Sequence, residues 1–503
     1  MCFTIRWQID SRLRMAHSQS SRSVCWVFAT PRKRNMLMEN TLQKEYTIHE
    51  RIDRLPLTRE LTFIMLMAGC AWLIESYDIG IMGNVIPLLQ KQFHLTATLT
   101  GLLVAASTLG IVVAVIPAGW LADRFGRKKI LIVGTAWYAI FSLLCGFSPN
   151  ITTLLVLRFI SGLGMGAVFP IPYALATEFM PHNRRGAMVG ILDSFLSVGY
   201  FLAPLIALAL ISLMPASLTW RYLFYIGGLP ILYIPVIWKW MPESPRWLQS
   251  QGRASEADSI VRRIESYAER RIGHTLPVPP SEMDTPRVST VHPLATIFRR
   301  DYLRRTLMMW IAFSCILFIF YAIQTYTPTV LVKEGYGLSN AFLLTTIIVV
   351  ASIPGKYCAA YAVERFGRKP TLIVFTVIAA LSAIAFGFAN TAALALGFGI
   401  VMSFFGIGVD PVVKVYGAEQ YPTPIRETGV GSFESVGRLF GGALAPYMMA
   451  FLLSLASGGI PIAYMFIAVI AIIGVLSVGF LGLETKGAKV ELLLAHQELR
   501  KTA

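Results

Sequence analysis

The sequence predicts an all-α membrane protein whose twelve transmembrane helices form two pseudo-symmetric six-helix bundles. Three observations lead to this fold class. The chain of 503 residues is 55% hydrophobic and only 14% charged, its apolar stretches are mostly about 20 residues long, and a basic motif recurs at a fixed offset of 241 residues. A water-soluble domain of this size could not bury so much apolar surface. The lipid bilayer is therefore an expected partner.

Twelve apolar stretches follow one another from Leu61 to Leu483, separated by Gly, Pro, Asn or charged clusters. The expected spans lie at about 61–90, 97–122, 129–148, 151–177, 187–212, 221–240, 305–331, 338–361, 370–389, 392–416, 428–455 and 460–482. They divide the chain into an N-terminal arm (1–60), a first bundle (61–240), a linker (241–304), a second bundle (305–483) and a tail (484–503).

The arm is polar and basic, and we expect it to be disordered. Met36 or Met38 could be the true translation start instead of Met1.

Lysine and arginine residues sort to one side of the predicted bundles. The chain carries 44 Lys and Arg against 28 Asp and Glu, a net charge of +16. Basic residues follow spans 2, 4, 8 and 10, whereas the alternate loops at 148–150, 389–391 and 457–459 carry no charge. The positive-inside rule then places both termini and the linker in the cytoplasm of a bacterial inner membrane. This sorting accounts for the basic charge without a nucleic-acid partner.

Several other classes of function have no support in the sequence. The six cysteines show no paired spacing, so neither a disulfide framework nor a zinc site is expected. No phosphate-binding or dinucleotide-binding glycine loop follows a predicted strand, and no His, Cys and Asp cluster has the spacing of metal ligands. We therefore expect no cofactor and no metal, and neither an ATP-driven pump nor a membrane enzyme.

An internal repeat is the most informative feature of the chain. The segment from Asp123 to Lys128 recurs as Glu364 to Lys369, 241 residues later. The same offset relates Glu178 to Glu419, Arg185 to Arg426 and Asp193 to Glu434. A constant offset over several matches indicates that one half of the chain arose by duplication of the other, giving two parallel six-helix repeats joined by the linker.

Residues 61–485 resemble the major facilitator superfamily. The segment from Gly119 to Lys128 is similar to the loop signature of that superfamily, and its second copy differs in having Ala360 for the first Gly and Glu364 for Asp123. Segments 242–247 and 484–487 look like signatures of the sugar-porter branch. The resemblance implies a secondary transporter that binds its substrate between the two halves. We expect it to work as a monomer.

The repeated motifs predict a gate at the cytoplasmic ends of the helices. Their charged residues could form ion pairs across the interface between the halves. Exposed pairs contribute only ~0–1 kcal/mol each, so several together suit reversible closure. Alternatively, the cations only set the orientation and the acids are solvated. The candidate gate residues are Asp123, Arg127, Glu178, Arg185, Glu243, Arg246, Glu364, Arg368, Glu419 and Arg426.

Ionisable residues inside the predicted spans are functional candidates, because a charge in the bilayer interior is costly without a partner. Span 1 carries Glu75 and Asp78 on roughly one helix face, and span 4 carries Arg158. In proton-coupled sugar porters an Asp of span 1 pairs with an Arg at the start of span 4, and the resemblance places Asp78 and Arg158 at these positions. We predict that making and breaking this pair couples protons to transport. The alternative is a static ion pair that joins the two spans.

Two further charge pairs lie within spans 10 and 11. Asp410 and Lys414, and likewise Glu434 and Arg438, have the i, i+4 spacing at which opposite charges meet on one helix face. They could therefore simply neutralise each other. By resemblance, Lys414 replaces a tryptophan that covers the sugar ring in sugar porters, and Asp410 replaces a glycine.

The amide side chains that bind sugar hydroxyls in sugar porters are also absent. By resemblance, Cys315, Ile316 and Tyr321 stand in their places. The segment from Gly437 to Pro446 resembles a pattern of organic-acid transporters, and the arginine in it, Arg438, suits bidentate recognition of a carboxylate.

The prediction is a proton-coupled transporter of a small carboxylate-bearing organic acid, which can be aromatic. The alternatives are a sugar or polyol symporter or exporter and a sensor that does not transport. The candidate substrate-binding residues are Tyr321, Gln324, Tyr326, Lys414, Arg438, Asp193, Asp410 and Glu434.

Overall fold

The computed structural model describes residues 47–181, 185–277, 293–421, 425–455 and 459–486. Within these ranges, twelve helical segments are long and apolar enough to cross a membrane, which confirms the predicted number. They are spans 1 to 12 in chain order: Arg59–Phe93, Ala97–Phe125, Arg127–Gly146, Ile151–Leu175, Gly190–Leu213, Ala216–Trp240, Arg300–Lys333, Leu338–Phe366, Arg368–Gly387, Ala392–Glu419, Thr428–Leu453 and Gly459–Leu481.

The linker defines the two sides of the bundle. It joins the end of span 6 at Trp240 to the start of span 7 at Arg300, so we name this side the linker side and the opposite one the far side. Short connections make consecutive spans antiparallel: span 2 ends at Phe125 and span 3 begins at Arg127. Odd-numbered spans therefore start on the linker side, and even-numbered spans end there.

Several spans contain an interruption. Span 4 is broken at Phe169, directly before Pro170, whose ring and missing N–H disrupt a regular helix. Span 10 is broken between Gly406 and Asp410. In span 11 the turns Arg438–Leu444 are a π-helix, a wide form that occurs often at functional sites. The structure thus places irregular helix beside several of the predicted site residues.

The internal repeat is also present in three dimensions. Gly126 and Gly367 adopt φ angles of 105° and 103°, which side chains other than glycine rarely tolerate. Next to them, Glu243 accepts hydrogen bonds from the backbone N–H groups of Arg127 and Lys128. Its counterpart 241 residues later, Glu484, accepts from the same two positions at the start of span 9. Each carboxylate therefore caps a helix N-terminus whose N–H groups have no partner inside the helix.

Glycines allow the two halves to pack closely. A Cβ atom on Gly83 of span 1 would lie 2.8 Å from the carbonyl oxygen of Gln324 in span 7, and one on Gly101 of span 2 would lie 2.7 Å from Cα of Tyr447 in span 11. Small residues at such crossings let helix backbones approach each other in a membrane. Spans 1 and 2 of the first half thus pack directly on spans 7 and 11 of the second.

The prediction of a disordered arm over 1–60 is wrong for its last part. Helix α1, Ile48–Asp53, begins with a capping box between Thr47 and Glu50, and Ile52 in it is buried. The described residues of the linker form helices α2 (Pro245–Ser250), α3 (Ala254–Ile272) and α4 (Pro293–Ile297).

Helix α1 is held on α3 by ion pairs. The guanidinium of Arg51 lies 2.5 Å from the carboxylate of Asp258 and 2.6 Å from that of Glu265. The proposed start sites Met1, Met36 and Met38 lie outside the described residues.

Candidate functional site

The structure brings Asp78 and Arg158 together in the interior of the first half. Nη1 of Arg158 lies 2.6 Å from Oδ2 of Asp78, and both side chains are fully buried. The hydroxyl of Ser142 in span 3 donates to the other oxygen of Asp78. The Arg158 guanidinium also lies 5.5 Å from the ring centre of Phe224, a cation–π distance. The predicted pairing is therefore present, and it joins spans 1, 3 and 4.

Glu75 lies on the same helix as Asp78, but its surroundings differ. It is fully buried, and neither of its carboxyl oxygens has a hydrogen-bond partner within the described part of the chain. The charged groups whose fields reach it are Arg438 of the second half and Asp78. Glu75 is thus a buried acid without a hydrogen-bonding partner among the described residues, about one helical turn from Asp78.

Asp193 of span 5 connects the two halves on the linker side of the centre. Its carboxylate lies 2.5 Å from Nζ of Lys356 in span 8 and 2.9 Å from Nζ of Lys414 in span 10. Lys414 also lies 2.6 Å from the Asp410 carboxylate. The predicted local pair in span 10 therefore forms, but its lysine is shared with an acid from the other half.

Arg438 also reaches across the interface. Its guanidinium lies 3.6 Å from the ring centre of Phe169, the residue at the break in span 4. Its predicted local partner, Glu434, lies 3.8 Å away, beyond the distance of a hydrogen bond. Arg438 thus stacks on an aromatic ring of the first half. Its guanidinium N–H groups do not form hydrogen bonds with Glu434.

These charged groups surround a small cavity between the halves. Its volume is about 20 Å³, which is roughly room for one water molecule. Aromatic and aliphatic side chains form the rest of its wall. The lining consists of Phe169, Leu196, Tyr200, Phe313, Leu317, Phe320, Tyr321, Lys356, Asp410, Lys414 and Arg438. The structure thus shows a small central site lined by three cations, the carboxylate of Asp410 and aromatic rings.

The predicted polar residues of span 7 do not share one location. Tyr321 lines the central cavity, and Gln324 donates to the backbone oxygen of Tyr200 in the first half at 3.4 Å. Tyr326 instead donates to the backbone oxygen of Pro446 at 2.5 Å and lines a separate cavity on the far side. Tyr326 lies more than one helical turn beyond Tyr321 and therefore does not line the central cavity.

The gate residues whose ion pairs the structure describes are paired within each half. Arg127 lies 2.5 Å from Glu178 and 3.8 Å from the exposed Asp123, all in the first half. Arg368 lies 3.0 Å from Glu419 in the second half. These are equivalent pairs at the offset of 241 residues, so duplication has preserved an internal pair in each half. Within the described part of the chain, Asp193 forms ion pairs that do join the halves.

The other gate candidates are Glu243, Arg246, Glu364, Arg426 and Arg185. Glu243 and Arg246 act electrostatically on Glu178, and Glu364 is exposed. Arg426 donates to the backbone oxygen of Tyr421 at 3.4 Å. The side chain of Arg185 lies outside the described part of the chain.

Two carboxyl groups on the linker side have shifted pKa values. Burial raises the pKa of Glu178, and the neighbouring Arg127 opposes part of this rise. Burial also acts to raise the pKa of Glu484, but four backbone N–H groups outweigh it and leave that pKa below its usual value. The capping carboxylate of the second half is thus stabilised in its charged form.

Sequence reasoning missed Lys356, the cation nearest to Asp193. It is the sole charged residue of span 8 before Glu364, and its side chain is 3% exposed. A lone lysine in an apolar span is itself a signal, because it must find a partner inside the protein. Phe169 and Tyr200 carry no comparable signal, since buried aromatic residues are common in any core.

Two six-helix halves around a charged central site define a transporter of the major facilitator class. Residues 61–495 match the family described as Sugar (and other) transporter, and the chain belongs to this family. It is 35% identical over 441 residues to the niacin transporter NiaP of Acinetobacter baylyi, covering 88% of this chain and 98% of that protein. It is 28% identical over 439 residues to the inner membrane metabolite transport protein YgcS of Escherichia coli, covering 87% and 94%.

The fold agrees with a solved structure. The xylose transporter XylE from E. coli, in a partially occluded inward open conformation, superposes with a TM-score of 0.70 at 18% identity, covering 86% of this chain and 100% of that one. The chain is therefore a multi-pass inner-membrane transporter and not an enzyme.

Proposed function

We propose that this transporter moves a small aromatic organic acid together with protons. The observation that carries the proposal is the convergence of Lys356, Lys414 and Arg438 on one cavity between the halves. All three cations come from the second half, and rings of both halves form the wall around them. A planar carboxylate with an aromatic body matches both parts of this surface.

The same wall is poorly suited to a neutral sugar. Sugar hydroxyls need several hydrogen-bonding side chains that are free to both donate and accept. Leu317, Phe313 and Phe320 offer none. The similarity to a niacin transporter supports the acid, since niacin is a pyridine carboxylic acid.

Binding of the acid would change the partners of Asp193. In this structure the carboxylate of Asp193 forms ion pairs with Lys356 and Lys414. A substrate carboxylate would bind the same two lysines. Substrate that takes these two cations releases Asp193, and the contact that joins the halves on the linker side is lost. Arg438 stays available for the substrate because Glu434 lies at 3.8 Å. Substrate and Asp193 thus compete for the same cations, which couples binding to opening.

Protons would act through Asp78 and Glu75. An ionised carboxylate that is buried without a partner is costly, which makes Glu75 a group suited to carry a proton through the cycle. Asp78 can do so when the cycle separates it from Arg158. The field of Arg438 reaches Glu75, so a substrate anion that neutralises Arg438 would also alter how readily Glu75 ionises.

The linker side faces the cytoplasm in this proposal, as the distribution of basic loops favours. The internal pairs Arg127 with Glu178 and Arg368 with Glu419 would hold the loop motif of each half rigid while the halves move. Each copy of the chain contains both halves of its site, so a monomer suffices.

Transport into proteoliposomes tests the proposal. The protein is reconstituted with a pH gradient, acid outside, and uptake of nicotinate, benzoate and xylose is compared with uptake by protein-free liposomes. We expect an aromatic carboxylate to accumulate and a protonophore to abolish the accumulation. Arg438→Gln should abolish uptake, and Arg438→Lys should restore it partly, because lysine keeps the charge but not the bidentate geometry. Accumulation of xylose but of neither carboxylate would support a sugar symporter instead.

A further inference from the structure

A second, larger cavity opens on the far side of the bundle. Its volume is about 360 Å³, within the ~300–1,000 Å³ typical of small-molecule sites. Both halves contribute to it. The lining consists of Gln90, His94, Leu95, Ala97, Thr100, Tyr326, Thr329, Lys333, Ala450, Leu453 and Ser454. The cavity lies at the same interface as the central site, but nearer the opposite face of the membrane.

The chemistry of this cavity suits an anion. Among its lining residues Lys333 carries a positive charge and none is acidic. Nζ of Lys333 donates to the backbone oxygen of Leu453 at 2.6 Å, which uses one of the three N–H donors of an ammonium group.

Thr329 supplies a second polar group. It lies one turn before Lys333 on the same helix face. It is 2% exposed, and its hydroxyl has no hydrogen-bond partner within the described residues. A buried hydroxyl usually has a partner, and Thr329 lines the cavity, so a ligand there could supply the missing hydrogen bond after a small rotation of this side chain.

Span 7 connects the two cavities. Tyr326 lines the far-side cavity and Tyr321 the central one, and five residues correspond to about 7.5 Å of helix rise. Between them, Gly83 packs against the backbone of Gln324. Closely packed helices therefore separate a small molecule in the far-side cavity from the central cavity.

We propose that the far-side cavity is an entry site for small organic anions, in which Lys333 and the Thr329 hydroxyl bind the carboxylate before it reaches the central cations. This inference rests on the proposed function for the substrate class. It assigns to Lys333 and Thr329 a role in binding from one side of the membrane only.

The competing explanation is that Lys333 merely ties span 7 to the end of span 11 through Leu453. Thr329→Val separates the two. Valine has nearly the same shape, and the threonine hydroxyl it replaces has no partner, so a purely structural role predicts no change. A matched control is Lys91→Gln, which removes an exposed cation at the far-side end of span 1 but not from the cavity lining.

The test is the KM for nicotinate and benzoate, measured separately for entry from each side in vesicles of known orientation. For entry from the far side, Lys333→Gln and Thr329→Val should each raise KM by about tenfold with little change in maximal rate. For entry from the linker side, neither should change KM. Lys91→Gln should behave as wild type from both sides.

Three results would overturn the inference: an unchanged far-side KM in Thr329→Val, equal effects from both sides, or an effect of Lys91→Gln as large as that of Lys333→Gln. If Lys333→Gln does not fold, Thr329→Val alone decides. Failure of the wild type to transport either acid would refute the proposed function itself. If the wild type transports the acids and the variants Lys333→Gln and Thr329→Val keep the wild-type KM for far-side entry, only the entry site is refuted.

Discussion

The carboxylate of Asp193 in span 5 lies 2.5 Å from Nζ of Lys356 in span 8, so an acid of one half holds a cation of the other. Nζ of Lys356 also donates to the backbone oxygen of Asp193 at 2.9 Å. Both side chains are buried, and opposite charges attract strongly where water is excluded. The halves cannot separate on the linker side without breaking this contact.

Removal of Asp193 should destabilise the protein more than removal of Lys356. Asp193→Asn leaves the buried Lys356 without a carboxylate partner and Lys414 with Asp410 alone, whereas Lys356→Met leaves Asp193 paired with Lys414. Breaking a buried pair by removing one partner typically costs about 3–5 kcal/mol. Thermal unfolding in detergent should therefore show a larger drop for Asp193→Asn, and the double variant should lose less than the sum of the two. Strictly additive losses would mean that the pair does not couple the halves.

Replacement of Glu75 should abolish proton coupling without impairing folding. Glu75→Gln keeps the shape of the side chain and removes the ionisable proton at a site without a partner, so the protein should fold as well as the wild type. Asp78→Asn, in contrast, leaves Arg158 buried without its counterion and should lower the yield of folded protein. In proteoliposomes, Glu75→Gln should still exchange labelled for unlabelled substrate, but should no longer accumulate it against a gradient. Proton-driven accumulation at the wild-type level would exclude Glu75 from coupling.

The two capping glutamates should have similar effects in the two halves. Glu243→Gln and Glu484→Gln each replace a carboxylate that accepts backbone N–H groups at the start of span 3 or span 9. Loss of a helix cap typically costs about 0.5–2 kcal/mol, and the glutamine oxygen retains part of the interaction. Thermal unfolding should show two small and comparable decreases. A large decrease for one variant and none for the other would show that the repeat has lost its equivalence at this position.

The docking of helix α1 on α3 should weaken in acid. Burial acts to raise the pKa of Glu265, but hydrogen bonds from Arg51 and Arg54 outweigh it and leave that pKa below its usual value. A carboxyl group with a lowered pKa stabilises the folded form above its unfolded pKa of about 4.3, and this stabilisation is lost as the pH falls through the folded pKa.

Limited proteolysis near α1 should therefore show protection at neutral pH and release below about pH 4. In Glu265→Gln, α1 should be more accessible already at neutral pH, with a weaker pH dependence. The control Arg270→Gln removes an exposed cation from the last turn of the same helix and should leave protection unchanged. The same acid release in Glu265→Gln as in the wild type would contradict this assignment.

Most of the fold was predictable because the membrane fixes the length of its helices. Predicted and observed span ends agree within a few residues. The pairing of Asp78 with Arg158 came from the resemblance to sugar porters, and it agrees with the need of a buried charge for a partner. The local pair of Asp410 and Lys414 followed from helix periodicity alone.

Contacts between the halves could not be predicted in this way. Asp193 and Lys414 lie 221 residues apart in the chain, and their contact depends on how two bundles pack, which no local pattern encodes. For the same reason the gate charges were assigned across the interface, although Arg127 pairs with Glu178 and Arg368 with Glu419 inside their own halves. Helix α1 was missed because its six residues are too few for a clear periodic signal, and it is stabilised by α3 rather than by its own propensity.

The most direct test of the central claim is to compare nicotinate with nicotinamide in binding to the purified protein. The two molecules have nearly the same shape and differ in the charge that Lys356, Lys414 and Arg438 would recognise. We predict that nicotinate binds at least about tenfold more tightly and that Arg438→Gln removes most of the difference. Equal affinity for the acid and the amide in the wild type would contradict the account.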